Sequence, residues 1–178
     1  MNKRKISFEE FQGHIGKICR DIANSSWRPD VVVGLTRGGL LPAVMISHYF
    51  DVKMNSLDIS LRDGGDTVSN LGLAEDAFGY EYHDSMASGD GRKNILIVDD
   101  INDTGATFNW LMEDWRSGCL PNDERWDNEI WNHNVKFAVV FDNLASKCSV
   151  EMDYCSEEIN KAEQDVWIDF PYEEWWTK

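Results

Sequence analysis

Three short runs of this chain are apolar almost without interruption: Val31–Leu35, Asn94–Val98 and Val135–Phe141. A strand with one wet face alternates apolar and polar residues. A strand that does not alternate must be covered on both faces, as in a parallel sheet sandwiched between helices. Helical patterns separate the runs. Phe8, Phe11, Ile15, Ile18 and Ile22 recur at spacings of three and four within Ser7–Asn24, and Ser7 with Glu10 forms a capping box. Leu40–Phe50 reads as a second helix with Pro42 in its first turn, and Thr104–Arg116 as a third. Lys53–Leu61 reads as a further strand. Strand, loop and helix in regular succession predict an α/β fold with a largely parallel sheet flanked by helices. At 178 residues the chain is expected to form a single domain, 1–178.

Other stretches are less regular. From Arg62 to Lys93 Gly, Asp and Ser dominate, with a brief apolar patch at Leu71, Leu73, Ala77 and Phe78. Such a length without periodicity is expected to be a lid or loop. Ser117–Asn134 is polar and irregular with Trp126 and Trp131 embedded, so the tryptophan-rich 110–131 segment is either an interface or core. Asp153–Gln164 is expected to contain a short helix. The tail VWIDFPYEEWW is aromatic and acidic.

Charge narrows the function. A net charge of −15 argues against a nucleic-acid partner, which needs a basic face. It leaves room for an anionic small ligand, because backbone N–H groups bind phosphate locally. Cys19, Cys119, Cys148 and Cys155 contain no C-x-x-C pair and read as free thiols of a reducing compartment. The basic start lacks a following apolar stretch, and no run reaches the roughly 20 apolar residues of a membrane span. The expectation is a cytoplasmic protein without a membrane partner.

The chemistry concentrates at NILIVDDINDTGATFN, residues 94–109. In open α/β sheets ligands bind beyond the carboxyl ends of the strands, where this stretch and the loop after Leu35 both fall. Thr104-Gly105-Ala106-Thr107 opens a helix with two hydroxyls and a run of N–H groups, which suits a phosphate monoester; ordinary capping by Asp103 or Thr104 is the plainer alternative. Asp99 and Asp100 repel one another at a buried strand end, so a metal or vicinal hydroxyl groups should use them. A ribose with a 5′-phosphate satisfies carboxylates and loop together. Neither a Walker A loop nor a G-x-G-x-x-G loop is present.

Ile97–Thr107 resembles the phosphoribosyl pyrophosphate (PRPP) signature of type I phosphoribosyltransferases. The resemblance implies that Asp99 and Asp100 face the ribose hydroxyls, with Asp100 the better ligand for Mg²⁺. It implies that Asp103 lies near the purine ring as a catalytic group and that Thr104, Gly105, Ala106 and Thr107 wrap the 5′-phosphate. Val33–Pro42 is similar to the family's pyrophosphate loop, in which Thr36, Arg37 and Gly38 contact PRPP, Arg37 lends charge to the leaving pyrophosphate, and the Thr36–Arg37 bond is often cis. Trp167-Ile168-Asp169-Phe170-Pro171-Tyr172-Glu173 looks like the ending of 6-oxopurine phosphoribosyltransferases. There Trp167 would stack on the base while Ile168 and Asp169 read its edge, within a small C-terminal hood; a core or interface aromatic is the plainer role for Trp167.

Two places depart from the family pattern. Asn143 stands where those enzymes usually carry a lysine that contacts the 6-oxygen, and Lys147 follows a few residues later; the resemblance leaves either to donate to that oxygen, Asn143 without charge. The mobile loop's usual Ser-Tyr pair is replaced by Ser60-Leu61, leaving Arg62, Tyr80 or Tyr82 to serve. The resemblance predicts transfer of a phosphoribosyl group from PRPP to hypoxanthine, xanthine or guanine in purine salvage, by a Mg²⁺-dependent homo-oligomer, a dimer or tetramer. The alternatives are an orotate- or uracil-type enzyme and a non-catalytic PRPP or nucleotide sensor.

Overall fold

The computed structural model describes residues 2–59, 71–79 and 91–177. Ser60, Leu61, Arg62, Tyr80 and Tyr82 lie outside the described residues. The elements run β1 (Asn2–Lys5), α1 (Phe8–Asn24), β2 (Val31–Leu35), α2 (Leu40–Phe50), β3 (Lys53–Leu57), α3 (Leu71–Phe78), β4 (Ile95–Asn102), α4 (Ala106–Gly118), β5 (Val135–Asn143), β6 (Tyr154–Ile159) and β7 (Val166–Asp169).

Among the described residues, five strands form one sheet in the order β3-β2-β4-β5-β6, and each neighbouring pair is parallel. The apolar runs are buried on both faces, as their lack of alternation requires. Val31, Val33, Ile95, Ile97, Val135 and Phe137 belong to one core with α3 and α4. Val32, Leu96, Val98, Ala138 and Val140 belong to the other, with α1 and α2. Ser7 caps α1 by accepting from the Glu10 N–H, and Phe11, Ile15, Ile18 and Ile22 form its buried stripe.

Chain direction creates the crevice. From β2 the chain crosses outward to β3, and from β4 it crosses the other way to β5. The strand order therefore reverses between β2 and β4, the position where sheets of this kind bind ligands. Strand β4 pairs with β2 only as far as Gly34↔Val98, then continues beside β5 to Asn102↔Asp142. Asp99 and Asp100 thus lie inside the strand, not past its end as the apolar run suggested.

Several expected elements are corrected. The 62–93 stretch is not wholly a loop: α3 drives Leu73, Ala74, Ala77 and Phe78 into the core, which an element of only eight residues is too short to reveal by periodicity. Strand β3 stops at Leu57. Helix α4 starts at Ala106, two residues late, because Gly105 sits at φ +84°. Trp126 and Trp131 are core, stacked at 4.9 Å, with the Trp126 Nε1–H donating to the Cys119 carbonyl at 3.0 Å. A single π-helical turn, Trp126–Ile130, delivers them.

The expected helix within 153–164 is instead β6, registered on β5 from Ala138↔Tyr154 to Asn143↔Ile159. Its Glu157 and Glu158 suit a helix locally, but pairing along the sheet edge decides the outcome. The hood draws on both ends of the chain. Strand β7 pairs in parallel with β1, an element the amphipathic pattern did not reveal, with Lys3↔Trp167 and Lys5↔Asp169. Arg4 ties this small sheet to the main one through Glu157 and to α1 through Glu10. Among the described residues, no helix is long and apolar enough to cross a membrane.

Candidate active site

The loop after β2 is drawn tightly over the end of β4. The Thr36 N–H donates to the Leu57 carbonyl at 2.9 Å and its hydroxyl to Asp58 at 2.8 Å. The Thr36–Arg37 peptide bond is cis. Gly38 and Gly39 follow because nothing larger fits. A Cβ on Gly38 would collide with the Asp100 carboxylate, and one on Gly39 with the Val98 carbonyl oxygen. The Arg37 side chain is exposed at the mouth.

Asp99 and Asp100 are half-buried and successive on β4, so they point to opposite sides of the strand. The Asp99 carboxylate accepts from the Asp100 N–H at 2.9 Å. The Asp100 carboxylate accepts from the Tyr172 hydroxyl at 2.8 Å, and the same hydroxyl reaches the Gly38 carbonyl at 3.2 Å. Burial and the nearby Asp100 charge push the Tyr172 phenol well above its usual range, so it stays a donor. Tyr172 comes from the tail and fastens the β2 loop and the β4 carboxylate together.

The 103–107 loop is braced from below. The Lys147 N–H donates to the Thr104 carbonyl at 3.0 Å, and the Asn109 side chain donates to the Lys147 carbonyl and accepts from Ser149 N–H. Gly105 has both a positive φ and no space, since a Cβ there would strike the Cys148 backbone. The N-cap of α4 is Gly105, which has no side chain with which to cap the helix. The helix start therefore offers N–H groups to a ligand at the crevice. The Thr104 hydroxyl accepts from the Ala106 N–H at 3.3 Å.

Toward β7, the Asp103 carboxylate pairs with the Lys161 ammonium at 2.9 Å, both side chains being one-fifth exposed. Lys161 Nζ also lies 5.9 Å from the centre of the Trp167 ring. Trp167 is half-buried; Ile168 and Asp169 are buried behind it, with the Asp169 carbonyl accepting from Ile6 N–H at 2.9 Å.

Asn143 has a different task from the base contact expected of it. Its amide donates to the Asp103 carbonyl at 2.8 Å and accepts from the N–H groups of Ala145 and Lys161 at 3.2 and 3.0 Å. A buried amide committed in this way holds backbone in place. Lys147 is exposed and serves through its backbone. The structure thus gathers Thr36, Gly38, Asp99, Asp100 and Asp103 with the 104–107 loop at the switch point, and links Trp167 to them through Lys161. Sequence reasoning missed Lys161. It sits in a turn inside the 153–164 segment expected to contain a helix, and no local pattern singles it out.

Among the described residues no group of three or more His, Cys, Asp or Glu side chains is arranged to hold a metal. A divalent cation would have to complete its shell with ligand oxygens, the usual arrangement for Mg²⁺ beside phosphates. Asp100 supplies a hard carboxylate oxygen suited to that role.

A model of the phosphoribosyl transferase domain matches residues 7–174. The chain is 27% identical over 169 residues to a xanthine-guanine phosphoribosyltransferase of Roseobacter denitrificans, covering 88% of this chain and 81% of that one. It is 27% identical over 143 residues to a protein of the same name from Idiomarina loihiensis, covering 80% and 70%. Its fold matches a purine phosphoribosyltransferase from Pyrococcus horikoshii at a TM-score of 0.64 and 24% identity, over 98% of this chain and 96% of that one. The chain belongs to the phosphoribosyltransferase family, with the type I fold, and among its members resembles the purine enzymes.

Proposed function

We propose that this protein transfers the 5-phosphoribosyl group of PRPP to a 6-oxopurine (hypoxanthine, xanthine or guanine), releasing pyrophosphate, as a cytoplasmic enzyme of purine salvage. One observation carries the reading. The carboxylates of β4, the 104–107 loop and the glycines of the β2 loop meet at the strand-order reversal, and the Asp103–Lys161 pair connects them to Trp167.

In this reading the N–H groups at the start of α4 and the hydroxyls of Thr104 and Thr107 bind the 5′-phosphate. Asp99 and Asp100 accept from the ribose hydroxyls and stabilise the positive charge that develops at the anomeric carbon as its bond to pyrophosphate breaks. The Gly38 and Gly39 backbone admits the pyrophosphate close to β4, and Arg37 approaches it from the mouth. Mg²⁺, held by Asp100 and ligand oxygens, would offset charge on the departing pyrophosphate. Trp167 stacks on the base, a contact of about 1–3 kcal/mol in nucleic-acid binders. Asp103 takes the proton from N7 of the incoming purine.

The test is pyrophosphate release from PRPP and Mg²⁺ with hypoxanthine, guanine, xanthine and adenine offered separately. Release with a 6-oxopurine is expected; none with any of the four would overturn the reading. Asp103→Asn should still bind PRPP by calorimetry but turn over about 100-fold more slowly. An unchanged rate would remove its proton-transfer role.

A further inference from the structure

We infer that Lys161, from the turn between β6 and β7, is the residue that selects a 6-oxo over a 6-amino purine, by donating to the exocyclic oxygen of a base stacked on Trp167. The inference rests on the proposed purine transfer and assigns its base specificity.

Three observations converge on this lysine. Its ammonium meets the Asp103 carboxylate at 2.9 Å and lies 5.9 Å from the Trp167 ring centre, within cation–π range, so it stands between the group proposed to take the N7 proton and the ring proposed to stack. Its side chain is only one-fifth exposed, unusual for a lysine, which ordinarily extends into water. Its backbone is also fixed: Asn143 accepts from the Lys161 N–H while donating to the Asp103 carbonyl, so one amide clamps the chain on both sides of the ion pair. Asn160 closes the turn by accepting from the Ala162 N–H at 3.1 Å and donating to Glu163 at 2.9 Å.

The chemistry follows from the edge a purine presents. A 6-oxopurine shows an acceptor at position 6 beside N7; adenine shows an amino donor there. An ammonium group has donors and no acceptor, so it bonds the first and leaves the second facing a like partner. Paired as they are, Lys161 and Asp103 offer one donor and one acceptor side by side. That matches the oxygen at position 6 and the N–H at position 7 of a 6-oxopurine in its N7–H form. Base binding would exchange the direct ion pair for these two bonds.

The experiment compares wild type with Lys161→Ala and Lys161→Gln. Steady-state kinetics use hypoxanthine, adenine and unsubstituted purine (which lacks any group at position 6), alongside calorimetric PRPP binding and thermal unfolding. Lys161→Ala should raise the KM for hypoxanthine about tenfold or more and lower the preference for hypoxanthine over adenine by a similar factor. The KM for unsubstituted purine and the affinity for PRPP should stay within about twofold. Lys161→Gln, a neutral donor, should recover part of the loss. A hypoxanthine KM and base preference unchanged in a folded Lys161→Ala protein would overturn the inference, leaving the lysine a structural partner of Asp103. Equal losses for hypoxanthine and unsubstituted purine would overturn it too, since the effect would then not pass through position 6. If the wild type itself releases no pyrophosphate with any base, the functional reading fails first, and the specificity assignment with it.

Discussion

The Tyr172 hydroxyl stands 2.8 Å from the Asp100 carboxylate and 3.2 Å from the Gly38 carbonyl, so a tail residue joins the loop after β2 to strand β4. With its phenol pushed well above the usual range by burial and by Asp100, the group donates at any ordinary assay pH. Tyr172→Phe removes one hydrogen bond to a carboxylate and leaves the ring stack on Phe170 intact. Loss of about 1 kcal/mol is expected. The KM for PRPP should therefore rise about fivefold with little change in the KM of the base, and the effect should be constant between pH 6.5 and 9. Steady-state kinetics with each substrate varied in turn measure it.

Gly105 combines a φ of +84° with contact against the Cys148 backbone, so Gly105→Ala is strained twice over. The left-handed conformation alone costs about 1–2 kcal/mol for a residue with a Cβ, and the backbone clash adds to it. A fall in Tm of about 6–12 °C is expected, together with loss of PRPP binding because the 103–107 loop must move. Scanning calorimetry and titration with PRPP check both. A variant with native Tm and affinity would show that the loop relaxes freely.

Trp126 is fully buried, stacked on Trp131 and hydrogen-bonded to the Cys119 carbonyl. Trp126→Ala leaves a large cavity beneath α3 and α4 and should cost about 3–5 kcal/mol of folding free energy. A lower urea midpoint with an unchanged slope would confirm a packing effect. A change smaller than about 1 kcal/mol would mean that the turn carrying it contributes little to the core.

His14 links stability to pH. Burial pulls its pKa below the ordinary histidine value, outweighing the pull of Glu157 and Glu10, while Nδ1 bonds the Ser156 hydroxyl at 2.7 Å. With the folded-state pKa below the unfolded one, the unfolded chain binds the proton first. The contribution is complete above the unfolded value near 6.5 and is lost as pH falls from there through the folded value. Urea midpoints at pH 7.5 and 5.5 should therefore drop more for wild type than for His14→Gln. Equal drops would show that His14 titrates alike in both states.

Local pattern decided a good part of this protein. The unbroken apolar runs at 31–35, 94–98 and 135–141 had to become strands covered on both faces, and the period of Phe11, Ile15, Ile18 and Ile22 had to become one face of α1. The glycines of the two loops and the aspartates of β4 were legible because close backbone approach and paired charge need those residue types at those positions. Other features depended on partners distant in sequence. An edge strand rich in glutamate takes its pairing from β5, β1 exists because β7 lies beside it, and α3 is too short to show a stripe outside the core that buries it. The same holds at the site: Lys161 reaches Asp103 across 58 residues because Asn143 holds both backbones, and Tyr172 reaches Asp100 across 72. Periodicity reports what a residue does to its own segment. Hydrogen bonds and ion pairs between distant segments are set by how the sheet brings them together, and only the folded chain contains that information.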